Sequence, residues 1–406
     1  MRKVFRCLAG IIAIFCMMIM GAVIYFQYHL PNRYYVNRGE TLTFSQDFLD
    51  SNTIFQPNVS VSSSLNPQNQ QINLMGLFPI KNVSVEAVEP VSLIPSGDTF
   101  GVKMFTKGAM VVGMMQIPTA SGACCPGKDA GIKEGDMILS VNEQPISRNE
   151  EVAQLIENSK GNSLHIEIQR GEQVENVVLT PVLSSIDHKY KSGIWIRDSA
   201  AGIGTITYID PVSNVFAGLG HAICDIDTGE ILPVGKGEVC DVTIHDITKG
   251  KSGTPGELLG VFTSNESIGN IVYNNDTGIY GQLFQSTQQQ TSYPLAYKQE
   301  IQPGDATILC SLENGEKKEY QIQILSVDYT DKTQTKNMTI QVVDPTLLEL
   351  TGGIVQGMSG TPILQNGKLV GAVTHVFVNN PEKGYAIFAE NMYQNSKTIH
   401  KFENAA

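Results

Sequence analysis

Residues 357–376 read Gly-Met-Ser-Gly-Thr-Pro-Ile-Leu-Gln-Asn-Gly-Lys-Leu-Val-Gly-Ala-Val-Thr-His-Val, and they carry the strongest signal in the chain. The glycines flanking Ser359 permit a turn that no bulkier pair allows. Beyond it, two apolar runs meet at Asn366-Gly367, a two-residue signature of a tight β-hairpin. A serine hydroxyl is a weak nucleophile until a base takes its proton, and an attacked carbonyl leaves an oxyanion that needs preorganised donors. Ser359 is therefore a candidate nucleophile, with the backbone amides of Gly357 and Ser359 as candidate oxyanion donors. The same pattern recurs at residues 250–255, Gly-Lys-Ser-Gly-Thr-Pro, so the hexapeptide alone says little. Context separates the two. Ser252 is not followed by the strand–Asn-Gly–strand pattern, and the spacing predicts a tight backbone turn there.

From about residue 190 onward, strand-like runs alternate with turn signals: GIGTITYID, VFAGLGHAI, ATILCSL, YQIQILSVDY, MTIQVVD and KLVGAVTHVFV. Long helical periodicity is missing, which predicts an all-β barrel or sandwich domain. The serine region resembles the nucleophile region of trypsin-like serine peptidases. For the base there are seven histidines, at 29, 165, 188, 221, 245, 375 and 400. His221 ends a predicted strand in Ala-Gly-Leu-Gly-His-Ala-Ile, where small residues allow close approach. It precedes Ser359 by 138 residues, which fits the order base, acid, serine. A metal site with Cys224, Asp225 or Asp227 is the competing reading, but a bare His-x-x-Cys lacks a second ligand pair; no metal or other cofactor is expected. His375 reads as a wall or core histidine. For the third member, Asp344 lies 15 residues before the serine and Asn275 and Asp276 lie midway between His221 and Ser359, and the spacing of trypsin-like chains favours Asn275 or Asp276.

Residues 7–26 hold no charge, enough for about 30 Å of helix, a bilayer's hydrocarbon thickness. Arg2, Lys3 and Arg6 before them favour a cytoplasmic N-terminus and an uncleaved anchor. The chain holds 28 basic and 40 acidic residues, net -12; residues 1–26 contribute three bases and no acid, so the remainder carries -15. A nucleic-acid partner is excluded on that balance. Two of the seven cysteines fall in the apolar stretch, and the odd number left argues against a disulfide framework, with Cys224–Cys240 the one plausible bridge.

Residues 28–94 are polar and rich in Asn, Gln and Ser, and predict an extended stalk with a few strands. Residues 95–186 predict a compact α+β domain with one helix, in which Ser147 and Glu150 form a capping box and Gly161 follows the end. The runs DAGIKEGDMILSVNEQPI and NEEVAQLIENSKG resemble a PDZ domain. That resemblance implies an extended peptide added as a strand, with Phe100, Gly101 and Val102 leading into the receiving strand.

Taken together, the anchor (residues 1–27), the PDZ-like domain, the block GLGHAICDIDTGEILPVGKGEV, the block NNDTGIYG and VVDPTLLELTGGIVQGMSGTP closely resemble the stage IV sporulation protein B serine peptidases. The fold class expected is mainly β: an N-terminal transmembrane helix, a PDZ-like α+β domain and a trypsin-like double β-barrel over residues 187–406. The resemblance implies His221, Asp344 and Ser359 as the catalytic set, with Asn275 in support. It implies an enzyme in the forespore inner membrane, facing the mother cell, that processes itself and cleaves a membrane-bound inhibitor of an intramembrane protease, so releasing activation of a late sigma factor. The competing class is an inactive membrane-tethered PDZ scaffold.

Overall fold

The computed structural model describes residues 2–38, 42, 49–50, 68–285, 290–312, 315–330 and 332–403. Helix α1 (Arg2–His29) contains a 25-residue stretch, Phe5–His29, that is long and apolar enough to cross a membrane and is not buried against the protein. Its Ile12, Ile14 and Met20 are exposed in different directions, as on a helix whose solvent is not water. The segment after it is no bare stalk. Strands β1 (Arg33–Asn37), β2 (Gln68–Leu74) and β3 (Phe78–Val88) form a sheet, with β1 parallel and β2 antiparallel to β3. Alternate residues Ile72 and Leu74, and Val83, Val85 and Ala87, turn inward onto Leu30, Tyr34 and Val36. Polar Asn and Gln on the outward positions hid this period of two in the composition.

Strand β4 (Ser92–Pro95) leads to β5 (Thr99–Met114), whose 16 residues belong to two bodies at once. Its far end, at Ala109 and Met110, pairs with β6 (Met137–Val141). Helix α2 (Asn149–Asn158), β7 (Leu164–Arg170) and β8 (Gln173–Leu179) complete the PDZ-like α+β module. Its core comprises Val111, Ile138, Val152, Ile156, Ile166 and Leu179. The cap of α2 is made by Glu151, one residue beyond the expected Glu150: its carboxylate accepts from the Ser147 and Arg148 amides. Gly161 takes φ +86° after the helix, as expected.

The near end of β5 lies in a six-stranded ring with β9 (Ile194–Ile209), β10 (Val215–Gly218), β11 (Lys236–Thr248), β12 (Glu257–Asn275) and β13 (Gly278–Leu283). The order β5-β11-β12-β13-β10-β9 closes back on β5. This corrects the expected peptide-binding residues. Gly101 pairs with Ile203 on one side and Cys240 on the other, so neither edge can take a peptide strand. Phe100 and Val102 point into the barrel core with Phe216, Ile206 and Val239; burying the Phe100 ring contributes about 2 kcal/mol. The boundary expected at residue 95 likewise falls inside the barrel.

The second ring is β14 (Gly304–Ser311), β15 (Lys317–Val327), β16 (Met338–Val342), β19 (Asn380–Phe388), β18 (Lys368–Phe377) and β17 (Pro362–Gln365). Tyr320, Ile322 and Ile324 alternate inward along β15, which is why that run forms a barrel strand. β17 and β18 meet at Asn366 (φ +52°) and Gly367 (φ +73°), the left-handed pair that the Asn-Gly signature demands. Helix α3 (Pro345–Thr351) lies between β16 and β17, and α4 (Ala389–Glu403) follows β19. The barrels join at Ser359 and Gly360, whose carbonyls accept from the Thr205 amide (3.0 Å) and the Thr207 hydroxyl (2.7 Å). All seven cysteines are free; Cys224 is exposed and Cys240 buried, so the bridge between them is not formed.

Candidate active site

The turn that carries Ser359 depends on its glycines. Gly357 and Gly360 have φ of +97° and +96°, where a side chain is strained. A Cβ on Gly360 would also lie 2.0 Å from the Thr205 carbonyl oxygen and 2.5 Å from the Leu219 nitrogen. Backbone bonds from Met358 to Val355, Gly360 to Val373 and Thr361 to Met358 pin the turn. The amides of Gly357 and Ser359 make no hydrogen bond among the described residues. Two unengaged donors beside a serine are what a developing oxyanion requires. The Ser359 hydroxyl itself donates to the Thr374 carbonyl on β18 at 2.9 Å.

His221 reaches this turn because β10 ends at Gly218 and the chain bends through Leu219 (φ +65°) and Gly220 (φ +70°). A left-handed leucine is strained and is held by its amide's bond to the Thr205 carbonyl, 3.2 Å. Gly220 packs against Thr374 and Ile387, where a Cβ would meet methyl groups at 2.9 and 3.0 Å. The His221 Nδ1 lies 2.8 Å from the Ala222 carbonyl. A carbonyl only accepts, so Nδ1 carries the proton and Nε2 keeps its lone pair. Burial holds the imidazole below its ordinary pKa, with the Ala222 bond opposing. No hydrogen bond joins His221 to Ser359, because the hydroxyl is turned toward Thr374.

His375 was expected in a wall or core. The residue is exposed, and its ring sits 5.0 Å from that of His221. Desolvation, then the charges of His221 and Lys336, push it down to about 4.

Asp344 is placed elsewhere. Its carboxylate is the N-cap of α3, accepting from the amides of Thr346 (2.9 Å) and Leu347 (3.1 Å), and from Gln321 at 3.2 Å. No hydrogen bond or ion pair joins it to His221. Pro345 takes the first helical position, where its missing N–H costs nothing. Asn275 caps its own turn, accepting from the Thr277 amide and hydroxyl, and donates to Asn395 on α4; Asp276 is exposed.

The residue that ties this turn to the histidine loop is Asn274, which the sequence reading passed over. Its Oδ1 accepts from the Ile223 amide, and its Nδ2 donates to the carbonyls of Ile223 and Leu232, all within 2.8–2.9 Å. Asp225 and Asp227, weighed as metal ligands, pair with Arg197. Ser252 lies in the tight turn expected of it, bonded through its hydroxyl to the Asn379 carbonyl.

The PDZ-like module offers a groove of about 540 Å³. It runs between α2, through Ala153 and Ile156, and the chain at Met115, Ile117 and Ile194.

The family model of the SpoIVB peptidase S55 matches residues 188–393, and the PDZ-domain model residues 119–170. A probable periplasmic serine endoprotease of DegP-like type from Chlamydia trachomatis is 34% identical over 79 residues, which are 20% of this chain and 14% of that protein. Among solved structures, the PDZ domain of an SdrC-like protein from Listeria monocytogenes is 18% identical, covering 22% of this chain and 87% of its own, at a TM-score of 0.18. The active form of the Rv3671c protease from M. tuberculosis is 15% identical, over 48% of this chain and 72% of its own, at a TM-score of 0.28.

Proposed function

The chain belongs to the SpoIVB peptidase S55 family and is a serine endopeptidase with a PDZ domain, and from that premise we propose that Ser359 and His221 are its reacting pair. The observation that carries the assignment is the junction of the barrels, where the histidine loop packs on the Ser359 turn and two amides stand unengaged. In the proposed step the Ser359 hydroxyl leaves Thr374 and gives its proton to Nε2 of His221. The oxygen attacks a peptide carbonyl, and the Gly357 and Ser359 amides receive the oxyanion. His221, now charged, returns the proton to the leaving amine.

The group that orients the imidazole is the Ala222 carbonyl. It accepts from Nδ1 and thereby fixes the tautomer, the part usually taken by a carboxylate. Asp344 acts at one remove: it starts α3, and α3 leads into residues 352–358 before the nucleophile. The substrate backbone lies along residues 374–376, which pair on one side with β19.

The family and the apolar N-terminal helix support a reading of the setting as well. We place the enzyme in the forespore inner membrane of a spore-forming bacterium, with both domains in the space facing the mother cell. There it shortens its own N-terminal region and cleaves a membrane-bound inhibitor of an intramembrane protease. The PDZ groove holds the C-terminal or extended segment of a protein partner. The test is to express the full chain and its Ser359→Ala form in sporulating cells and follow the size of each by immunoblot. Shortening of the wild type alone supports the reading; equal shortening of both places the cut with another protease.

A further inference from the structure

Residues 74–80, Leu-Met-Gly-Leu-Phe-Pro-Ile, join β2 to β3 and close a stretch from residue 51 to residue 80 that holds no charge. The Leu77 amide donates to the Leu74 carbonyl at 3.1 Å, with Met75 at φ +51° and Gly76 at φ +67° between them. Asn is the usual first residue of such a turn, and a methionine there is strained. Met75 is nevertheless 70% exposed and Leu77 67% exposed, at a hairpin tip where contact with water favours polar residues.

The register places this tip. Strand β3 runs parallel to β1, with Ser84 opposite Arg33 and Val88 opposite Asn37. The chain enters β1 from α1, so stepping back along β3 from Ser84 leads toward the helix. The Lys81 ammonium donates to the Leu30 carbonyl at 2.6 Å, just past the end of α1. Phe78 then packs on the same core as Ala22, Val23 and Phe26, the half-buried face of α1, and the helix lies against β3. From Lys81 to Leu77 the strand covers about 13 Å, and from Leu30 to Ala22 the helix covers about 12 Å. Leu77 is therefore level with Ala22, about 6 Å inside the uncharged stretch of residues 7–26. Lys81, the first charge after the tip, stands outside that stretch, where a lysine meets lipid headgroups.

We propose that the turn at residues 75–77 is a second membrane contact, with Met75 and Leu77 set among lipid acyl chains beside α1. The proposal rests on the reading of α1 as a span. The small sheet is also fastened to the peptidase: Tyr35 and Val88 pack on the cluster of Leu295, Tyr297 and Leu369, and the Gln299 side chain donates to the Tyr35 carbonyl at 2.7 Å. A single helix leaves the body free to swivel above the bilayer. A second contact on the same sheet holds it at one height and tilt, so the barrels meet substrates at a fixed distance from the membrane.

The test is tryptophan quenching in the full chain with its single tryptophan, Trp195, changed to Phe. Leu77→Trp, Met20→Trp on α1 and Glu89→Trp beyond the other end of β3 are each reconstituted in phosphatidylcholine vesicles, with and without bromine on the acyl chains. Leu77 and Met20 are exposed, and the Glu89–Arg38 ion pair is exposed and contributes little, so all three variants fold as well as the Trp195→Phe parent by thermal melt. Leu77→Trp and Met20→Trp each lose about half of their emission or more to brominated lipid, as rings buried about 5–10 Å or deeper do, and Glu89→Trp keeps its emission. Quenching of Met20→Trp without Leu77→Trp overturns the proposal and leaves the span standing. Quenching of neither overturns the span and the second contact with it. Equal quenching of Leu77→Trp and Glu89→Trp shows that tryptophan draws any site to lipid, and overturns the proposal too. So does a Leu77→Trp emission that is blue-shifted yet unquenched, which assigns the turn to a protein contact.

Discussion

Replacing Asp344 by Asn separates two accounts of this residue. As the acid that orients His221, Asp344 would be worth about 10⁴ in rate, because Asn in that role favours the wrong tautomer. As the cap of α3, it is nearly replaceable. Asn ranks with Asp at an N-cap, and its Oδ1 still accepts from Thr346 and Leu347. What Asn loses is the charge at the helix start, about 0.3–1 kcal/mol, and the acceptor for the Gln321 amide. Ala loses the cap outright, about 1–2 kcal/mol. For a barrel of this size that lowers the melting transition by about 2–8 °C. Phosphonylation of Ser359 by a fluorophosphonate, with loss of fluoride and timed by intact mass, reads the rate, and calorimetry reads the melt. Asp344→Asn should react within about threefold of wild type, and Asp344→Ala should melt earlier. A thousandfold slower Asp344→Asn protein with an unchanged melt would refute the cap account and restore Asp344 to the catalytic set.

Three further outcomes follow from the same geometry. Gly360→Ala, whose Cβ falls 2.0 Å from the Thr205 oxygen, should abolish labelling of Ser359 and cost about 3 kcal/mol or more; normal labelling would mean the turn is not built as described. Asn274→Ala removes three hydrogen bonds from the histidine loop and should slow phosphonylation at least tenfold, whereas Asn275→Ala should cost about 1 kcal/mol of stability with a smaller effect on rate. A reversed order in a side-by-side assay would discard Asn274 as the tie. Phosphonylation should fall as pH drops through the lowered pKa of His221 and stay level above 6.5. Stability moves the same way: unfolded His221 and His375 take up protons at higher pH than folded ones, so the fold loses stability from pH 6.5 downward. The exposed His375 adds little to that slope. An acid limb centred above 6.5, or unchanged in position in His221→Gln, would contradict the assignment.

What the sequence made legible was local. The Ser359 turn, the Asn366-Gly367 hairpin and the end of α2 at Gly161 each need a left-handed backbone that few residues adopt, so the glycines and asparagine announce them. The placement of Phe100, Gly101 and Val102 was not local. β5 is a single strand of 16 residues, and the one mark of its passage from barrel to PDZ-like module is Gly108 at φ +110°, a glycine at the start of an apolar run. In residues 28–94 a few strands were expected but not their packing on a core, because the inward residues alternate with Asn and Gln that dominate composition. Asp344 shows how a motif match can locate a residue without its role. Asp-Pro-Thr-Leu is a helix start, a local signal that weighing Asp344 by spacing and resemblance alone leaves out. Asn274 was lost because its partners, Ile223 and Leu232, lie 51 and 42 residues away.

The central claim is that one serine, at the junction of the barrels, is the nucleophile and that His221 activates it. Treatment of the full chain in detergent with a fluorophosphonate, followed by peptide mapping, tests it most directly. The account predicts one adduct, on Ser359, formed in wild type and lost in both Ser359→Ala and His221→Ala. An adduct on Ser252, whose hydroxyl is tied to Asn379 in its turn, or full labelling of Ser359 without His221, would contradict it.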